Sequence, residues 1–370
     1  MALEIRQLGP ESPDHRLPVC LLTGFLGAGK SSLLNFVLRH PWMEGTAVVI
    51  NEYGAVGVDH HLVESAPEDT ALVADGCICC TASGQLADAL MSLFLRAQRR
   101  QFTLRRVILE TTGLAEPAPI LRQFVSHHQL KERFVIDSVV TLVDAANAAS
   151  TLDASDIAVL QVTGADRLMV TKIDLVNEAD ACRLERRLAE MNPDAVIERV
   201  LQGVAPPQAL FSGVHRRAAS GADLGVMFGN VDLLRFTPDV ASRGPLLAPR
   251  DRTPADHAIQ TFSLILDEPI APSTFFGWTD FLRSLCGPTL LRMKGLVNLK
   301  GQTLPTVVHG VQNVFHPTRQ LPAWPSEDQR TRLVFITRGW GQDVVGSTLD
   351  WLQARPVLAS AGDPECTAPR

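Results

Sequence analysis

The chain has 370 residues, 46% of them hydrophobic and 20% charged, with a formal net charge of −6, and at about 100–200 residues per domain it is expected to form two domains or three. Its acidic balance argues against a general nucleic-acid binder, whose electrostatic footprint is basic. No apolar run reaches the ~18 residues of a membrane span, and the nearest, residues 134–150, is interrupted by Asp137 and Asp144.

In chain order, residues 1–16 read as an extension without the apolar segment of a secretory signal, which predicts a cytoplasmic protein. Residues 17–23 are a short buried-strand run that stops at a glycine-rich loop, and residues 30–38 are an amphipathic helix. Strands follow at 46–51, weakly at 70–74, and at 106–110, 138–144, 167–171 and 195–200. Between them lie helical patterns at 86–100, 117–127, near Ile157 and at 178–191. Near-continuous apolar strands alternating with helices predict a doubly wound, mostly parallel α/β sheet over residues 17–211. Residues 212–257, rich in Gly, Ala, Arg and Pro, read as a linker. Residues 258–356 read as a second, smaller α+β domain, with strands at 258–266, 290–299, 306–315 and 332–337 and helices at 273–285 and 342–354; residues 357–370 form a tail.

The loop Gly24-Phe25-Leu26-Gly27-Ala28-Gly29-Lys30-Ser31 fits G-x-x-x-x-G-K-[ST] between a strand and a helix. In such a loop, backbone N–H groups and the positive end of the helix dipole surround a phosphate. Gly24, Gly27, Ala28, Gly29 and Ser32 are expected to line the phosphates, Lys30 to bridge the β- and γ-phosphates, and Ser31 to hold Mg²⁺. Thr171-Lys172-Ile173-Asp174 closes a later strand. One carboxylate can accept both guanine donors, N1–H and the 2-amino group, whereas adenine has no N1 donor, so Asp174 predicts GTP and GDP over ATP. Thr171 stands where Asn is commoner, and the Lys172 stem is expected to lie along the base.

Glu110-Thr111-Thr112-Gly113 ends another strand. Glu110 is expected beside the γ-phosphate, touching Mg²⁺ through water and acting in catalysis with Lys30, and Gly113 is expected to offer its N–H to the γ-phosphate. Thr112 equally fits a helix cap. No water-positioning Gln is evident from the spacing, which predicts slow turnover without a partner.

Seven cysteines and no export signal do not suggest a disulfide framework. Three of them, Cys77, Cys79 and Cys80, crowd one short stretch, and thiolates select Zn²⁺, Cu(I) and similar ions. A structural zinc site needs four protein ligands. An open three-thiolate site suits a metal that is handed on; a redox-active or merely buried loop is the other reading.

Together GFLGAGKS, Asn51–Asp59, GCICC, ETTGLAEPAPI and TKID, followed by Arg292-Met293-Lys294-Gly295, His309-Gly310-Val311-Gln312 and RLVFITR, occur in the order of one family. The chain resembles the CobW-type P-loop GTPases with a CobW C-terminal domain. The resemblance implies a GTP-hydrolysing metallochaperone that carries a zinc-class ion on Cys77, Cys79 and Cys80 to a client metalloprotein, and it adds His127 as an imidazole candidate. It also admits a homo-oligomer. An assembly or activator protein that does not itself carry metal is the alternative, and a small-molecule kinase is a third reading that Asp174 and the cysteines oppose. The chain departs from the family at Ala55, where a carboxylate is usual, and at Ile50, so accessory acidic ligands are missing. His60, His61 and His128 read as solvated, and His309 and His316 as packed or exposed residues near Lys294.

Overall fold

The computed structural model describes residues 16–51, 72–73, 85–99, 101–211, 259–286 and 289–354. The Cys77–Cys80 stretch, Ala55, the His60–His61 pair, and the predicted linker and tail lie outside the described residues.

The first sheet has seven strands, all paired in parallel: β1 (Leu17–Gly24), β2 (Thr46–Asn51), β3 (Leu72–Val73), β4 (Arg106–Thr111), β5 (Phe134–Asp144), β6 (Arg167–Thr171) and β7 (Val196–Arg199). Their order is β3-β2-β4-β1-β5-β6-β7, which puts β1 near the centre with β4 and β5 beside it. Period-two alternation divides these apolar strands between two cores. Val19, Leu21, Val49, Leu109 and Val139 face one layer, and Cys20, Leu22, Val48, Ile108 and Val140 face the other. Helices α1 (Lys30–Val37), α2 (Gln85–Gln98), α3 (Pro117–Ser126), α4 (His128–Arg133), α5 (Ala148–Ala154), α6 (Asp156–Gly164) and α7 (Glu178–Met191) connect them. Coverage on both faces is what allows strands this apolar to be parallel.

Two helical expectations are refined. The pattern at 117–127 ends in extended backbone at His127, after which α4 begins anew. The stretch near Ile157 is two helices, because Ser155 is extended and its hydroxyl accepts from the Ala158 N–H at 3.4 Å, capping α6.

The second sheet is antiparallel, with strands β8 (Ile259–Leu266), β9 (Leu290–Val297), β10 (Thr306–Val311), β11 (Val314–Phe315), β12 (Arg319–Gln320) and β13 (Thr331–Arg338). The order is β11-β10-β9-β13-β8, with β12 also on β10. Helices α8 (Pro272–Cys286) and α9 (Gln342–Ala354) pack on it around Phe275, Trp278 and Phe335. The run 306–315, expected as one strand, is a hairpin: the chain reverses after Val311, with Gln312 at φ 52°, so that Val311 faces Val314.

This hairpin docks the second sheet onto the first unit. Val311 and Val314 join the core that holds Val19 and Leu121, and Asn313 accepts a 2.7 Å bond from Arg122 of α3. Fully buried Arg292 of β9 donates to the Gly164 carbonyl at 2.7 Å and pairs with Asp166 at 2.6 Å. Among the described residues no helix is long and apolar enough to cross a membrane.

Candidate functional site

The site forms at the C-terminal edge of the first sheet, where β1 releases the glycine loop. Gly24 has φ +141°, and a Cβ there would sit 2.5 Å from the Leu142 carbonyl of β5, so no larger residue fits. The loop closes with a 3.1 Å bond from Ala28 N–H to Phe25 C=O, and Gly29, also left-handed, begins α1. Lys30 Nζ donates to the Gly24 carbonyl at 2.8 Å and the Phe25 carbonyl at 3.4 Å, folding its cation over the loop. Ala28 is buried, Lys30 and Ser31 are half-buried, and Gly27 and Ser32 face solvent. The loop thus presents a cation and the N-terminus of an eight-residue helix to one spot.

β4 delivers the second element. Glu110 is buried at 6% exposure, in register with Leu22 of β1 and Ile50 of β2. Thr111 donates its hydroxyl to that of Thr23 at 2.8 Å, joining the ends of β4 and β1. The chain then turns, with Ala115 N–H bonded to Thr112 C=O at 3.1 Å. Gly113 lies so close to the phosphate loop that a Cβ would meet the Leu26 nitrogen at 2.6 Å. Sequence reasoning missed a buried partner of this turn: Gln161 of α6 reaches the Gly113 and Ala115 carbonyls at 3.2 and 3.0 Å. Its signal in the sequence was slight, a polar residue inside an otherwise apolar helix.

β6 delivers the third. The Thr171 hydroxyl donates to the Ala28 carbonyl at 2.8 Å, so the residue in place of Asn ties this strand to the phosphate loop. Lys172 adopts a left-handed conformation, φ 55°, and its Nζ pairs with Asp144 at 2.8 Å. Asp144, at the end of β5, was also missed. Burial pushes its pKa up, but the hydrogen bonds from Lys172, Asn147 and the Ala146 N–H together hold it below the ordinary carboxylate value. Asp174 stands exposed on the 3₁₀ turn Ile173–Leu175.

The expected metal ligands are not assembled among the described residues, where no group of three or more His, Cys, Asp or Glu lies close enough to hold an ion. β3 ends at Val73, on the edge that carries the phosphate loop, and the candidate cysteines follow it outside the described residues. Cys20 and Cys286 are buried thiols that burial pushes up to about 12, unsuited to metal binding. His127 caps the far end of the ten-residue α3 from the Gly113 turn, roughly 15 Å away at 1.5 Å per residue. The His128 imidazole meets Glu132 on the surface at 3.3 Å. His309 and His316 stack at 4.8 Å between centroids, with His309 opposite Lys294 across β10 and β9. Their packing follows the structural reading of that pair.

Comparison with known proteins adds an independent finding. Residues 18–199 match the family model for the CobW/HypB/UreG nucleotide-binding domain, and residues 259–352 match that for the cobalamin synthesis protein cobW C-terminal domain. The chain is 33% identical over 322 residues to the zinc chaperone YjiA of Escherichia coli (strain K12), spanning 86% of this chain and 93% of that protein. It is 25% identical over 351 residues to the zinc chaperone CobW of a Sinorhizobium species, spanning 87% and 92%. The crystal structure of the Zn(II)-bound YjiA GTPase from E. coli superposes with a TM-score of 0.63 at 29% identity, covering 91% of this chain and 99% of that one.

Proposed function

The chain belongs to the CobW/HypB/UreG family of nucleotide-binding proteins, and from that premise we propose that it is a GTP-hydrolysing metallochaperone delivering a zinc-class ion to a client metalloprotein. The observation that carries the nucleotide half is the convergence on one loop: Gly113 packs on Leu26 from one side, and Thr171 bonds Ala28 from the other. The segment expected to read the γ-phosphate and the segment expected to read the base are thereby fixed to the same phosphate cradle.

In this reading Lys30 leaves the carbonyls of Gly24 and Phe25 for the β- and γ-phosphates, alongside the N–H groups of Gly27, Gly29, Ser31 and Ser32, while the Ala28 N–H keeps the loop closed on the Phe25 carbonyl. Asp174, exposed two residues beyond the Lys172–Asp144 pair, accepts the two guanine donors. Ser31 and the buried Glu110 carboxylate form an oxygen donor set suited to Mg²⁺, directly and through water respectively, and the ion would offset phosphate charge there. Gln161 is the glutamine beside Gly113, but it is buried and its amide nitrogen is taken by the Gly113 and Ala115 carbonyls rather than free to orient water, so turnover by the isolated chain is slow.

Zinc is cargo. The proposed ligands are Cys77, Cys79 and Cys80, which a client thiolate or imidazole can displace stepwise from an open position. The zinc chaperone relatives support this half of the reading. The experiment for the nucleotide half is equilibrium binding of fluorescent GDP with competing GTP or ATP. GTP competes and ATP does not, and Asp174→Asn loses about 1–3 kcal/mol of GTP affinity, the scale of a charge-assisted hydrogen bond. Equal competition by ATP would contradict it.

A further inference from the structure

Gln161 is an anomaly in the core. It is 1% exposed on α6, its Nε2 donates to the carbonyls of Gly113 and Ala115, and its Oε1 has no hydrogen-bond partner. Burying an unpaired amide oxygen is unfavourable, and a leucine would avoid it. The return is confined to one place, the turn Thr112–Ala115. The opposite rotamer of the amide would set its oxygen against two carbonyl oxygens, so the donor assignment is forced by chemistry.

The helix that carries Gln161 is rigidly held. Asn192 Nδ2 donates to the carbonyls of Val162 and Ala165 at 2.8 and 2.9 Å. Thr141 of β5 donates to the Gln161 carbonyl at 2.8 Å, and Arg292 to that of Gly164 at 2.7 Å. α6 is thus a strut between the second sheet and the turn. The carbonyl that Gln161 holds belongs to the Gly113–Leu114 peptide, and Gly113 is wedged against the Leu26 backbone. The two together limit the free rotation a glycine has and restrain the neighbouring Thr112–Gly113 peptide that carries the Gly113 N–H. Gly113 stays against Leu26, and among the described residues no acceptor takes its N–H.

We propose that Gln161 is the positioning residue that sets the Gly113 N–H for the terminal phosphate, so that the preference for a nucleoside triphosphate over a diphosphate depends on its amide. This rests on the GTP reading above. Gln161 touches no nucleotide; it acts through the turn.

The test is equilibrium binding of fluorescent GDP and of a non-hydrolysable GTP analogue to the full chain, for wild type and Gln161→Met. Methionine keeps the length and removes the donor. The expected result is a GDP affinity within about twofold of wild type and a triphosphate affinity lower by roughly tenfold, the scale of one or two hydrogen bonds. A residue that merely filled the core would lower the melting temperature and leave that ratio unchanged, and an unchanged ratio overturns the proposal. Should the methionine variant not fold, Gln161→Glu replaces it. Its side chain donates only when protonated, so its triphosphate-to-diphosphate ratio must fall as pH rises from 5.5 to 8 relative to wild type, and a parallel pH profile overturns the proposal. A wild-type chain that binds neither guanine nucleotide removes the GTP reading and this inference together, whereas wild-type binding with an unaltered variant ratio removes the inference alone.

Discussion

Thr171 donates its hydroxyl to the carbonyl of Ala28 at 2.8 Å, across 143 residues of sequence. The bond joins the end of β6, from which the turn proposed to read the base departs, to the middle of the glycine-rich loop. Thr171→Val keeps the shape and leaves the buried carbonyl unpaired. It should lower stability by about 1 kcal/mol and weaken GTP and GDP alike, by about fivefold. Calorimetric unfolding and nucleotide titration check both, and nucleotide affinities equal to wild type would show that the strand-to-loop tie does not support binding.

Gly113 has no room for a side chain. In Gly113→Ala the new methyl meets Leu26 backbone at 2.6 Å, so the phosphate loop or the turn must move. The expected stability loss is about 1–3 kcal/mol, the range for overpacking. The more telling measurement is turnover of GTP under saturating nucleotide, which should fall at least tenfold by the transition-state relation. Wild-type turnover in a protein that melts lower would separate packing from function.

The junction between the two sheets is sensitive to acid. His309 lies among Arg292, Asp166, Lys294 and His316, and burial is the main cause that sets its pKa well below the ordinary 6.5, with Arg292 pushing the same way and Asp166 opposing. The unfolded chain therefore takes the proton first as pH falls, and the folded state loses stability below about 6.5, by up to about 1.4 kcal/mol per pH unit for one proton. Asp166, which burial works to neutralise, is held ionised well below the usual carboxylate range by Arg292, His309, Lys294 and the Val139 N–H together, so it does not blunt this window. Urea midpoints at pH 7.5 and 5.5 should differ less in His309→Gln than in wild type. Equal losses would place the acid sensitivity elsewhere.

Much of this was legible because the first sheet is written in apolar runs. Val19, Leu21 and Leu22 on β1 or Ile108 and Leu109 on β4 have no reading but a strand covered on both faces. The phosphate loop, the Gly113 turn and the Thr171–Asp174 turn were legible as contiguous motifs. Their mutual contacts were not, because Thr171–Ala28 and Gln161–Gly113 are pairings between distant residues that no local pattern encodes. Asp144 escaped for the same reason, since its partner Lys172 lies 28 residues on. The β10–β11 reversal was hidden because its left-handed position is filled by Gln312 rather than by Gly or Asn, which left Asn313 as the one turn-forming residue in the two-residue loop.

The account stands on coupling between nucleotide and metal, and competition against a chromophoric zinc chelator measures it most directly. The full chain is titrated with GDP and then with a non-hydrolysable GTP analogue, beside a Cys77→Ser, Cys79→Ser, Cys80→Ser variant. The account predicts one tightly bound ion that the triple variant loses, with an affinity that differs between nucleotide states by roughly 5–150-fold, a coupling of about 1–3 kcal/mol, and an equal reciprocal effect of zinc on GTP affinity. Binding should also release protons and weaken as pH falls, because the ligands are thiolates. Zinc retained by the triple variant, or held equally in both nucleotide states, would contradict a GTP-controlled carrier.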